Sequence, residues 1–125
     1  MAGPAALLVA KAIKFEERLT DDRTAGKRVK EKDALDMLRL LQTVDTEDLI
    51  AGLRLHLAHD HARDETVRAM TFLRNEGSET NSVLPAAATA AAGGDPIVAP
   101  SFAVLVRELL AVFDTLSTPP PSSGS

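Results

Sequence analysis

Apolar residues recur at three- and four-residue intervals along most of this chain and never alternate strictly, so the pattern predicts helices and no strand. In residues 4–19, Leu8, Ala12, Phe15 and Leu19 form one apolar stripe, and Lys11, Lys14 and Arg18 recur at the same spacing along its flank. Pro4 suits a first helical turn, where its missing N–H costs nothing. Residues 20–28, with Gly26, read as a polar connection, exposed and mobile. A second helix is expected over 31–42, with Ala34, Leu35, Leu38 and Leu41 inward and Lys32, Asp36 and Arg39 on the other side. The third has the clearest start: Asp45 as N-cap, Asp48 three residues on, Val44 stapled against Leu49, and Leu49, Ile50, Leu53 and Leu57 buried. The fourth, 63–76, turns Val67, Met70 and Leu73 inward and stops at Gly77.

The next stretch admits two readings. Residues 86–96, AAATAAAGGDP, form either a short alanine helix opened by Pro85 and ended by Gly93–Gly94 or an Ala-rich linker. The last helix is expected over 101–116, with Phe102, Leu105, Val106, Leu109 and Phe113 on one face; an earlier start at Pro96 would place Pro100 in the ladder. The expected fold is all-α: a small bundle of four or five helices over residues 1–117. Helices one and two form an antiparallel hairpin (4–43), the last helix crosses the bundle, and the tail 118–125, TPPPSSGS, is disordered.

Composition sharpens this picture. The chain is 45% hydrophobic but only 3% aromatic, so the core must be built from Leu, Val and Ala, which suits packed helices. Without cysteine, disulfides and thiolate metal sites are excluded. No apolar run reaches the roughly 20 residues that cross a bilayer, and the start lacks a secretory leader because its lysines follow the apolar stretch. A cytoplasmic protein without membrane contact is expected. Charge is uneven: residues 1–32 carry eight Lys/Arg against five acids, and the rest six against thirteen, within a net −4. A basic first third can attract phosphate, although a solvated helix face explains the same charges.

Three groups could carry chemistry. Lys11 and Asp33 come first, because phosphoryl and nucleotidyl transfer need cations against a triphosphate and carboxylates to orient the partners. If helices one and two pair, both side chains can enter one cleft, with Asp33 held in a first turn by amides and dipole. The plainer reading makes Lys11 a snorkelling surface lysine. In HLAHDH (56–61), His56, His59 and Asp60 would share a helix face at a spacing able to chelate zinc or nickel, against the plainer reading of a polar helix end. Arg23, Lys27, Arg28, Lys30 and Lys32 are a candidate for weak RNA contact through phosphates, without any aromatic platform.

PAALLVAK (4–11), followed after a basic connection by KDALDMLRLL (32–41), resembles the third and fourth motifs of the AbiEii-type nucleotidyltransferases, relatives of abortive-infection toxins of toxin–antitoxin systems. Carried over, the resemblance implies that Lys11 contacts nucleotide phosphates, that Asp33 is the later active-site aspartate and Asp36 the second acid of its run. It is specific over 4–41 and general beyond. The family's earlier Gly-Ser and Asp-x-Asp motifs belong upstream of the lysine; Gly77–Ser78 comes too late, and no Asp-x-Asp occurs. The expectation is a C-terminal helical lobe of a shortened or split enzyme. It would be inactive alone, with no cofactor of its own, while Mg and an NTP are implied for the complete enzyme, and it would depend on a missing catalytic domain or protein partner. The competing expectation is a small helical protein–protein interaction module with no catalytic role.

Overall fold

The computed structural model describes residues 3–19 and 24–117, and every ordered element among them is an α-helix. There are six: α1 (Pro4–Glu17), α2 (Thr24–Thr43), α3 (Thr46–Leu57), α4 (Asp60–Gly77), α5 (Val83–Ala91) and α6 (Val98–Ser117). The all-α expectation holds; the count of four or five is corrected to six because the alanine segment is a helix rather than a linker. α5 buries Leu84, Pro85 and Ala88 against α2 and α6. It ends where Gly93 and Gly94 take φ of 80° and 87°, a region that side-chain-bearing residues avoid, so that Gly94 N–H can donate to Thr89 O at 2.8 Å.

One apolar core draws on all six helices, with Leu8, Phe15, Met37, Leu53, Leu73, Leu84 and Phe102 fully enclosed. The Phe15 and Phe72 rings lie 5.9 Å apart between centroids, tilted at 44°, and pin α1 to α4. The stripes mostly fall where the periodicity put them, with instructive exceptions. Leu19 is 37% exposed because α1 ends at Glu17, two residues before it. On α4, Met70 and Leu73 are buried as expected, but Val67 is 46% exposed because Thr66, one position earlier, takes the core place beside Ala69, Phe72 and Gly77. On α2, Met37 joins Ala34, Leu38 and Leu41 in the core, while Leu35 is only partly covered.

Helix ends also shift. α2 begins at Thr24 rather than at residue 31, so Gly26 lies inside a helix; residues 20–23 of the expected connection, and the tail 118–125, lie outside the described residues. Asp45 occupies the N-cap of α3 without a side-chain cap; its carbonyl accepts the Asp48 and Leu49 N–H groups, and Glu47 and Asp48 supply the first-turn acids that the helix dipole favours. α4 starts at Asp60, three residues early, because Arg63 clamps the break: its Nε donates to Leu57 O at 2.9 Å and its Nη2 reaches Asp60. α6 starts at Val98, and Pro100 sits in its first turn, where its missing N–H breaks no ladder bond. That helix packs on α2, α3, α4 and α5, across the bundle as expected. No helix among the described residues is long and apolar enough to cross a membrane.

α1 and α3 cross closely. A Cβ on Gly52 would stand 2.6 Å from Cβ of Ala5, which is itself buried. Gly52→Ala is therefore expected to destabilise the fold by about 1–3 kcal/mol through overpacking. Chemical denaturation should show the loss, and Ala5→Gly in the same chain should recover most of it; a neutral single substitution would mean the helices can simply part.

Candidate functional site

α1 and α2 run antiparallel, as their side-chain pairings show: Lys11 meets Asp36 and Asp33, Arg18 meets Asp33, and Lys30 reaches back to Leu19. Stepping forward on α1 means stepping backward on α2. That direction brings Lys11 and Arg18 of the α1 flank onto the acids of α2, while Lys14 between them stays exposed, and it builds the main charged cluster of the hairpin.

Lys11 Nζ donates to Asp33 Oδ1 and to Asp36 Oδ2, each at 3.1 Å. Arg18 Nη1 donates to the second oxygen of Asp33, also at 3.1 Å, and Arg39 Nη1 lies 4.0 Å from Asp36 Oδ1. The expected pair, Lys11 and Asp33, is thus in direct contact. Asp33 is 5% exposed, whereas the Lys11 side chain keeps 24% of its surface open. The hydrogen bonds to Asp36 and then to Asp33 raise the Lys11 pKa above its ordinary 10.5, against an opposing push from burial.

Two expectations about this cluster need correction. Asp33 lies mid-way along α2 rather than in a first turn, because the helix begins at Thr24; Lys11 and Arg18 hold it, and helix-end amides do not. Asp36, expected on the outer side, faces α1 and shares the ammonium of Lys11. Arg18 and Arg39 complete the group. Arg18 was legible as the third member of the Lys11, Lys14, Arg18 stripe, although its partner was not.

The cluster does not suit a divalent cation. Both oxygens of Asp33 and Oδ2 of Asp36 accept from Lys11 or Arg18, and the remaining oxygen has Arg39 4.0 Å away, so a metal would displace those contacts and meet their positive charges. Among the described residues no group of three or more His, Asp or Glu is arranged to hold a metal. The HLAHDH segment spans a break between helices: His56 is in the last turn of α3, His59 precedes α4 and Asp60 opens it, so the shared face assumed from the spacing does not exist.

The basic residues spread around one end of the hairpin. Lys27, Arg28 and Lys32 are exposed on α2, while Lys30 is half-buried and donates to Leu19 O at 3.2 Å, which takes it off the outer face. Arg23 lies outside the described residues.

Family models, curated proteins and solved structures give no match to this chain. What this site can do therefore rests on its own geometry: three cations around two carboxylates leave one net positive charge at a partly open surface. The carboxylates fix the cations in place, and an ammonium has three donors, of which these aspartates take two.

Proposed function

We propose that this chain is a nucleotidyltransferase-like helical lobe of the AbiEii type. In this reading it works in the cytoplasm, joined to a catalytic domain or partner that brings the upstream Gly-Ser and Asp-x-Asp elements; no Asp-x-Asp occurs in this sequence, and its Gly77–Ser78 follows the lysine. The observation that carries the reading is the 3.1 Å contact of Lys11 with both Asp33 and Asp36, the positions matched by the motif resemblance. Lys11 offers its remaining donor and its charge to triphosphate oxygens, with Arg18 beside it. Asp33 and Asp36 hold those cations where the phosphates arrive. The acceptor hydroxyl, such as one on tRNA, would attack the α-phosphorus while pyrophosphate leaves with its electron pair; the groups and the magnesium that drive that step belong to the catalytic domain. Alone, the lobe binds nucleotide weakly and transfers nothing.

Titration of each NTP into the isotopically labelled chain should perturb the amide signals around Lys11 and Arg18. Lys11→Gln is expected to weaken that binding at least about fivefold, as fits loss of one charge-assisted hydrogen bond. A folded Lys11→Gln chain that binds nucleotide as well as the parent does would end the reading.

A second reading, a helical protein–protein interaction module, draws on exposed apolar side chains. Leu55 and Ile97 are each 65% exposed, and Val104 and Val112 stand two turns apart on the outer side of α6. In that case the Lys11 cluster only locks α1 to α2, and substitutions there leave partner binding unchanged.

A further inference from the structure

We propose that the outward face of α2 binds the phosphate backbone of double-stranded nucleic acid through Arg28, Lys32 and Arg39. The inference does not depend on nucleotide binding at Lys11: Arg28 and Lys32 lie outside that cluster, and Arg39 touches only its edge, 4.0 Å from Asp36.

Packing sorts the charges of α2. Along the sequence its acids and bases are interleaved: Lys27, Arg28, Lys30, Glu31, Lys32, Asp33, Asp36 and Arg39 all fall within residues 27–39. In space they separate. Asp33 and Asp36 turn towards α1, where Lys11 and Arg18 neutralise them. Arg28, Lys32 and Arg39, at intervals of four and seven residues, share one outward stripe about 16 Å long at ~1.5 Å per residue. All three are exposed, and Arg39 retains 67% of its side-chain surface despite lying 4.0 Å from Asp36 at the edge of the stripe. Glu31, between the first two, is half-buried. Of the helices packed on α2, α5 adds nothing to oppose them, since its sequence VLPAAATAA has no ionisable side chain. The positive end of the α2 dipole lies at the Arg28 end.

The kind of polyanion follows from what the stripe lacks. All four phenylalanines (Phe15, Phe72, Phe102 and Phe113) are buried, and the chain has no tyrosine or tryptophan. Single-strand binders gain much of their affinity by stacking bases on aromatic rings, and this chain has no such platform. A membrane would need a large apolar anchor beside the cations; Leu35 packs instead against the core, and Val29, 41% exposed on the flank of the stripe, is a single small side chain. What remains is charge at intervals along a straight rod, which fits the dense phosphate array of a duplex. Binding is to phosphates and is blind to sequence and sugar. The net charge of −4 keeps it weak.

Fluorescence anisotropy with the full chain and labelled DNA duplex, RNA duplex and single strand of equal length tests this. Both duplexes should bind at low salt, more tightly than the single strand, with log affinity falling against log salt at a slope of about −3, near −0.9 per phosphate for three contacts. The triple variant R28E/K32E/R39E should lose at least tenfold. Should that chain not fold by circular dichroism, Arg28→Gln with Lys32→Gln decides, by a salt slope shallower by about two. The proposal is overturned by no duplex binding at about 50 mM salt, by a folded variant that binds as the parent does, by preference for the single strand, or by more than tenfold discrimination between the two duplexes.

Discussion

Phe102→Ala is expected to cost about 3–5 kcal/mol, the top of the range for truncating a single core side chain. Phe102 is fully buried early in α6, and its ring edge reaches α4 and α5 at once: a Cβ built on Gly77 would stand 3.2 Å from Cε1 of Phe102 and 3.3 Å from Leu84. Gly77, at the end of α4, thus leaves the ring room that any side chain there would tighten. Removing the ring opens a cavity where three helices meet, and rigid helix backbones cannot collapse to fill it. For a domain with a total stability of about 5–15 kcal/mol, that is a large fraction. Urea denaturation should show the midpoint falling by more than about 1 M at an unchanged slope. A shift of a few tenths molar would mean α5 follows the void inward, and the tight α4–α5–α6 junction would then be no junction at all.

Lys11→Met is expected to cost about 2–3 kcal/mol. Breaking a fully buried ion pair costs about 3–5 kcal/mol because a charge is left unpaired in low dielectric. Here the figure is reduced, since Lys11 is a quarter exposed and Arg18 still holds the other oxygen of Asp33. Most of the loss falls on Asp33, which cannot reach water, and on the repulsion between two carboxylates whose shared cation has gone. The pH dependence follows from the raised Lys11 pKa. A group whose pKa is higher folded than unfolded contributes fully below the unfolded value and loses that contribution as pH rises through the folded one. The stability gap between parent and Lys11→Met should therefore be constant from neutral pH to just below about 10.5, then shrink above it. A gap already closed at about pH 9 would contradict the raised pKa. A gap below about 0.5 kcal/mol would reduce the cluster to an ordinary surface ion pair.

Several elements were legible because their signals are local. Leu8, Ala12 and Phe15, or Leu49, Ile50 and Leu53, fall on the buried side because helical periodicity alone fixes which residues share a face. Helix starts were less legible. α2 begins seven residues before the expected start at residue 31 because Thr24 to Lys30 make a polar helix, and a polar helix has no apolar stripe to read. α4 likewise begins before its stripe, fixed by Arg63 reaching back to α3, a contact with no signature in spacing. Val67 was misplaced because Thr66, a polar residue, holds a core position.

The Lys11–Asp33 encounter was anticipated, but through the wrong physics. The expected hold was a helix terminus; the actual one is a four-way exchange among Lys11, Arg18, Asp33 and Asp36. Asp36 looked like an outward residue because its heptad position borders both faces of α2. Only the approach of α1 decides which face counts as inside.

By itself, the sequence determined that the described chain is helical, that its core is aliphatic, and that cations gather in its first third; these follow from residue type and from a period set by the backbone. The tertiary structure decided that six helices form among the described residues, that the HLAHDH residues are divided by a break, and that Asp33 and Asp36 of α2 turn inward while Lys27, Arg28, Lys32 and Arg39 stay outside. Periodicity says which residues travel together around a helix. The rotation of that helix against its neighbours is chosen by the packing of the whole core, which no single segment encodes.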